Sequence, residues 1–161
     1  MSTESAKALV RQVVDDWNKA DFDALDEHLD PATYVNRDPN NPDVTDFASY
    51  KRWAAAARAA FPDLHVTIDD LIAEDDKVAK LWSFQATHEG EFLGLAPTGK
   101  RITWSGITIY RVSGDRVVEC TWRTVRSDSC SSSVRSQQRS SGLPPCRTGV
   151  PRTRIDARRA G

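Results

Sequence analysis

The chain has 161 residues, 39% of them hydrophobic, and carries 22 Lys and Arg against 23 Asp and Glu, a net charge of −1. That balance hides an asymmetry, because residues 126–161 hold eight Arg and two Asp, a surplus of +6 that leaves −7 on residues 1–125; an acidic body argues against nucleic acid as its partner. No apolar run approaches the roughly 20 residues that a membrane span needs, so no membrane association is expected.

Met1 to Lys7 is polar and has no apolar signal core. Leu9, Val10, Val13, Val14 and Trp17 then recur at helical spacing, which predicts a helix over residues 5–19 with one apolar face. A second, short helix is expected at Phe22 to Leu29 and ends at Pro31. Tyr34 to Val44, with Pro39 and Pro42 among Asn and Asp, reads as a loop of turn-forming residues. Asp46 is placed to cap a third helix, Phe47 to Ala60, whose Phe47, Tyr50, Ala54 and Ala57 face inward together with Phe61.

After Pro62 the period changes from helical to twofold. Strands are predicted at His65 to Ala73, Val78 to His88, Arg101 to Arg111 and Arg116 to Val125, broken by Glu74-Asp75-Asp76, by the stretch Gly90 to Gly99 and by Ser113-Gly114-Asp115. Three helices followed by a curved antiparallel sheet define an α+β fold. Alternation puts Trp82, Phe84, Ala86 and His88 on one face of the second of these strands. Ile102, Trp104, Gly106, Thr108 and Tyr110 share a face on the next, and Val118, Cys120 and Trp122 on the last. If these faces converge, they enclose a pocket walled by three tryptophans and holding one titratable group.

From Arg126 onward the composition is that of a segment no core can use. It has eight Arg, eight Ser, three Pro and two Cys, with no Lys, Glu, Phe, Trp or Tyr, too little apolar surface to offset its ordering entropy. The expected organisation is therefore a domain over residues 1–125 and a disordered Arg/Ser-rich tail over 126–161. Cys120, Cys130 and Cys146 make neither a disulfide framework nor a zinc spacing. A reduced, cytoplasmic setting without a metal is expected.

Several blocks carry a family resemblance: Phe61-Pro62-Asp63-Leu64-His65, Glu74 to Val78, Thr87 to Gly94, Ala96 to Lys100 and Gly114 to Glu119. In order and spacing they resemble the SnoaL-like polyketide cyclases, also called ester cyclases, over essentially all of residues 5–125. The resemblance implies the cone-shaped fold of nuclear transport factor 2, in which helices close over a bent sheet around a ligand cavity. It also implies a cofactor-independent intramolecular aldol closure of a small hydrophobic or polycyclic carbonyl compound, and a homodimer. The acid/base in such enzymes is an aspartate four residues after the last strand's Trp. Counted from Trp122, that position is Arg126. Asp128 is two residues late, a displacement of about 7 Å along a strand, and is a poor substitute.

The tail is consistent with a slip of reading frame near Val125 or Arg126. Ser127 to Ser136, written in GC-rich codons and read one base earlier, spells a leucine- and glutamine-rich stretch resembling the ending that follows the aspartate in this family. On that reading the scaffold is kept and the acid/base is lost.

Among the remaining groups, His88 is the candidate catalytic residue, able to hydrogen-bond a ligand carbonyl or act as a base; the alternative is a structural histidine tied to a loop carbonyl. Trp17, Asn36, His65, Trp82, Phe84, Trp104 and Trp122 are candidate ligand contacts. For the tryptophans the alternative is core packing, for Asn36 turn formation and for His65 a structural role at a strand entry. His28, among Asp26, Glu27 and Asp30, is expected to be solvated. Three functions stay open: a cyclase-type enzyme impaired in this chain, a non-enzymatic small-molecule binder, and a dimeric interaction module with an apolar patch on the outer sheet face.

Overall fold

The computed structural model describes residues 2–125; Arg126, Asp128 and the remainder of the predicted tail lie outside the described residues. Helix α1, Thr3–Lys19, begins two residues ahead of expectation, because the Ser2 hydroxyl accepts the Ser5 N–H and caps it. Its predicted apolar residues, Leu9, Val10, Val13, Val14 and Trp17, are all buried, each worth about 1.5–3 kcal/mol for the larger aliphatics. Helix α2 is a single turn, Leu25–His28, shorter than the predicted Phe22 to Leu29. Helix α3, Phe47–Ala60, has the expected bounds, and Asp46 closes a capping box with Ser49.

Four long strands follow: β2 His65–Glu74, β3 Lys77–Thr87, β4 Arg101–Ser113 and β5 Arg116–Val125. A fifth, β1, Val35–Arg37, lies in the segment read from sequence as loop. The sheet order is β1-β5-β4-β3-β2. The long strands pair antiparallel, while β1 runs parallel to β5 with Asn36 opposite Cys120. The expected purely antiparallel sheet is thereby corrected to a mixed one. Three residues among prolines are too few to show alternation, and the partner that makes them a strand lies more than 80 residues away in sequence.

The helices pack against this curved, unclosed sheet in an α+β arrangement. Asn18 fastens the end of α1 to β2 by accepting the Val66 N–H at 2.7 Å and donating to the Val66 carbonyl at 3.0 Å. Arg58 of α3 reaches the carbonyls of Trp17, Asn18, Pro62 and Leu64, joining two helix ends and a strand entry through one guanidinium.

Alternation holds along β3 and β4, where Trp82, Phe84, Ala86, Thr108 and Tyr110 are buried as predicted, and Val78 is buried in phase with them. It fails once on β5. A bulge sets Val112 opposite Val117 and Arg111 opposite Glu119, so Val117 turns fully inward and Val118 is only half-buried. The predicted inner position of Val118 therefore passes to Val117.

Candidate functional site

The interior between sheet and helices is lined by a run of aromatic rings in contact. Trp122 meets Trp82 edge-on at 5.9 Å, and Trp82 stacks on Phe84 at 5.8 Å. Phe84 meets Trp104 at 5.0 Å, Trp104 meets Phe61 at 6.1 Å, and Phe61 stacks on His88 at 5.1 Å. These spacings are those of attractive edge-to-face and offset pairs. Trp82, Phe84, Trp104, Trp122 and His88 thus come together as their positions on β3, β4 and β5 require. Trp17 does not join them; it belongs to a second cluster with Phe22, Tyr50 and Trp53, and its indole N–H donates to the Tyr50 hydroxyl at 2.7 Å.

His88 is the first residue past β3 and is buried. Its N–H donates to the Lys100 carbonyl and its carbonyl accepts the Gly99 N–H, so pairing continues just beyond the strand. Nδ1 lies 3.2 Å from the Thr98 hydroxyl, whereas Nε2 is buried without a hydrogen-bond partner. The ring is therefore held by a loop hydroxyl and by Phe61. One nitrogen is left to offer, and an unsatisfied buried polar atom is rare enough to require an explanation.

Asn36, on β1, is 5% exposed. Its Oδ1 accepts the Trp122 indole N–H at 2.8 Å and the Tyr34 hydroxyl at 3.2 Å, and its Nδ2 donates to the Val44 carbonyl at 2.8 Å. It fastens the loop to β5. It also lines a surface depression of about 290 Å³ together with Arg37, Asp38, Pro42, Val44 and Arg123.

His65 is exposed and pairs with Gln85 on the face turned away from the interior. His28 is not simply solvated: its Nε2 lies 3.4 Å from Oδ2 of the buried Asp16. Burial raises the Asp16 pKa, with His28 opposing the shift.

One interior group was missed by the sequence reading. Lys80, on β3 between Val78 and Trp82, is 3% exposed, with its ammonium 5.2 Å from the Tyr110 ring centroid and 5.7 Å from that of Trp122. Desolvation lowers its pKa from 10.5 to about 7. The alternation that placed Trp82 and Phe84 places Lys80 in phase with them, so the signal was present in the pattern. Beside it, burial pushes the Cys120 thiol up to about 12, which leaves that cysteine inert as a nucleophile.

The sequence model of the SnoaL-like polyketide cyclases matches residues 7–124. The chain belongs to this family. Among solved structures it resembles AclR of Streptomyces galilaeus, a candidate hydroxylase, at 31% identity over 77% of this chain and 91% of that one, with a TM-score of 0.69. A candidate polyketide cyclase of Acidithiobacillus ferrooxidans is 33% identical over 87% and 99% of the two chains, with a TM-score of 0.68. TsrD of Streptomyces laurentii, 21% identical over 88% and 98% with a TM-score of 0.70, shares the fold. No curated protein matches the chain. The SnoaL-like domain so identified combines an aromatic interior with two buried nitrogen groups, Lys80 and His88. Eight residues of strand separate them, about 26 Å at roughly 3.3 Å per residue.

Proposed function

We propose that this SnoaL-like domain takes a small, flat, hydrophobic carbonyl compound against its aromatic interior for cofactor-independent acid/base chemistry of the aldol type. We further propose that the present chain performs it poorly. The observation that carries the reading is the run of rings from Trp122 to Phe61 ending at the buried, unpartnered Nε2 of His88.

In such a closure a base removes the proton from the carbon between two carbonyls, and the resulting enolate carbon bonds to a second carbonyl carbon. The alkoxide so formed takes a proton, and no oxidant or metal is needed. An apolar surrounding raises a carboxylic acid toward working pH and strengthens hydrogen bonds to the developing oxyanion. The family resemblance assigns the carboxylate to the position held here by Arg126, so His88 is left to donate to, or accept from, the ligand, according to which nitrogen carries its proton. Rescue by Asp128 is not part of the proposal, because it is offset by about 7 Å of strand.

The tail beyond residue 125 is read as the product of a frame slip. The test replaces residues 126–161 by the frame-corrected ending and follows exchange of deuterium at the acidic carbon of an aromatic β-keto ester. Exchange that appears with the repaired ending and is lost again in its His88→Phe variant supports the reading. Exchange that is unchanged by His88→Phe removes His88 from it, and an inactive repaired chain removes the enzyme.

A second reading rests on the opposite face of the sheet. Leu81, Ile107 and Ile109 are each more than 40% exposed there, and Leu81 pairs directly with Ile107. A contiguous apolar patch of this kind marks an interface more often than a free surface, and a homodimer through it is the proposed assembly.

A further inference from the structure

Helix α2 is a single turn, too short to be stable by itself, and its neighbours hold it in place. Leu25 and Leu29 are fully buried, the Leu29 N–H donates to the Leu25 carbonyl at 2.8 Å, and the Asp30 N–H donates to the Val117 carbonyl of β5 at 3.0 Å. Just before the turn, Phe22 meets the Trp17 ring edge-on at 5.3 Å. One further contact of the turn joins two titratable side chains: His28 Nε2 lies 3.4 Å from Oδ2 of Asp16 on α1.

Asp16 is buried and its Oδ2 has no hydrogen-bond partner, so that oxygen is compensated by the charge of the imidazole. The other charged groups about the joint are of the wrong sign, weaker in effect or engaged elsewhere. Asp21 and Asp15 repel the carboxylate, and Lys19 favours it less than His28 does. Lys51 of α3 pairs with Asp23 and Asp26, Arg116 of β5 donates to the Asp26 carbonyl, Asp30 accepts the Ala32 N–H, and Glu27 is exposed.

A buried carboxylate facing an imidazolium is compensated; the same carboxylate facing a neutral ring is a buried charge without a partner. Histidine is the side chain whose charge ordinarily changes between pH 5 and 8. We propose that Asp16 and His28 form a pH-operated latch between α1 and α2, closed while both are charged and released as the imidazole becomes neutral, which frees the turn that covers Leu25, Leu29 and Val117. Opening releases a proton, so it is favoured as pH rises. The whole fold responds in the opposite sense over the same interval, because the lowered pKa of Lys80 makes stability rise with pH. A loss of protection confined to α2 is thereby distinguished from global unfolding. The latch requires nothing of His88 or of any ligand in the interior.

Hydrogen exchange followed by NMR in the full chain reads the latch at the Leu29 and Asp30 amides, with the amides of β4 as the reference for the whole fold. After correction for the intrinsic pH dependence of exchange, these two amides should open at least about tenfold more often at pH 8 than at pH 6, the effect of about one pKa unit of coupling, while β4 shows no such rise. His28→Gln should open at pH 6 as the unmodified chain does at pH 8, and equally at both. Were the ring only a packing element, protection would fall by the same factor at the two pH values and the tenfold rise would remain. Equal opening at pH 6 and pH 8 in the unmodified chain, or a rise that persists in His28→Gln, overturns the proposal. If His28→Gln does not fold, Asp16→Asn decides by the same reading: opening independent of pH supports the latch, and a surviving rise overturns it.

Discussion

Gly106 on β4 lies directly against the ring of Trp82 on β3: a Cβ at that position would stand 2.8 Å from Trp82 Cζ2 and 2.5 Å from the Arg123 carbonyl oxygen. The absent side chain is what lets the indole lie flat across its cross-strand partner and reach Thr108, to whose hydroxyl it donates at 2.9 Å. Because one obstacle is backbone, the strain has no soft side chain to absorb it. Gly106→Ala is expected to cost about 1–3 kcal/mol and to redshift tryptophan emission, as measured by denaturant unfolding and fluorescence.

Lys80 predicts a pH dependence of stability. Its folded pKa, about 7, lies below the ordinary 10.5, so between these values the unfolded chain binds the proton that the folded chain has released. Stability from this group therefore rises with pH across that window. Cys120 acts oppositely, since a thiol raised from 9.0 to about 12 withdraws stability as pH climbs above 9. The expected curve rises from about pH 7 to about pH 9 and then flattens. Lys80→Met should abolish the rise and stabilise the fold near pH 7 by a few kcal/mol, on the order expected when an uncompensated buried charge is removed; urea melts at several pH values would show it.

Asn36 ties three elements through one amide. Asn36→Leu leaves the Trp122 indole N–H and the Val44 carbonyl without that partner, and each unsatisfied buried group costs about 1–3 kcal/mol. A loss of about 2–4 kcal/mol is expected, with faster amide exchange across β1 as the local signature.

His88→Phe separates structure from chemistry. The ring stacked on Phe61 is retained, while the unpartnered Nε2 and the Nδ1 contact with the Thr98 hydroxyl are both removed, so a stability loss of no more than about 0.5–1.5 kcal/mol is expected. In the chain carrying the repaired ending, carbon-acid exchange should fall by about 10²–10⁴-fold, the range typical of a positioned acid or base.

The outer face predicts association. Ile107→Lys puts a charge at the centre of the patch formed with Leu81 and Ile109. Sedimentation should show a dimer in the unmodified chain and a monomer in the variant, with the fold intact by circular dichroism.

The residues that alternate or recur with a regular period were legible without coordinates: the apolar face of α1, the capped α3, and the inward rows of β3 and β4. Local sterics and burial act there over a few residues, so the pattern carries the answer, and the ordered blocks from Phe61 to Glu119 sufficed for the family. Three things required the assembled chain. Strand β1 exists because Asn36 meets Cys120 across the sheet, a pairing no local window contains. The bulge that exchanges Val118 for Val117 arises from register against β4. The unpaired state of Lys80 follows from what three strands and their aromatic side chains exclude around it. Alternation held the direction of that lysine, although the sequence reading did not draw it; only tertiary packing decided that it points there without a counter-ion, because desolvation and the absence of an anion are properties of the whole enclosure.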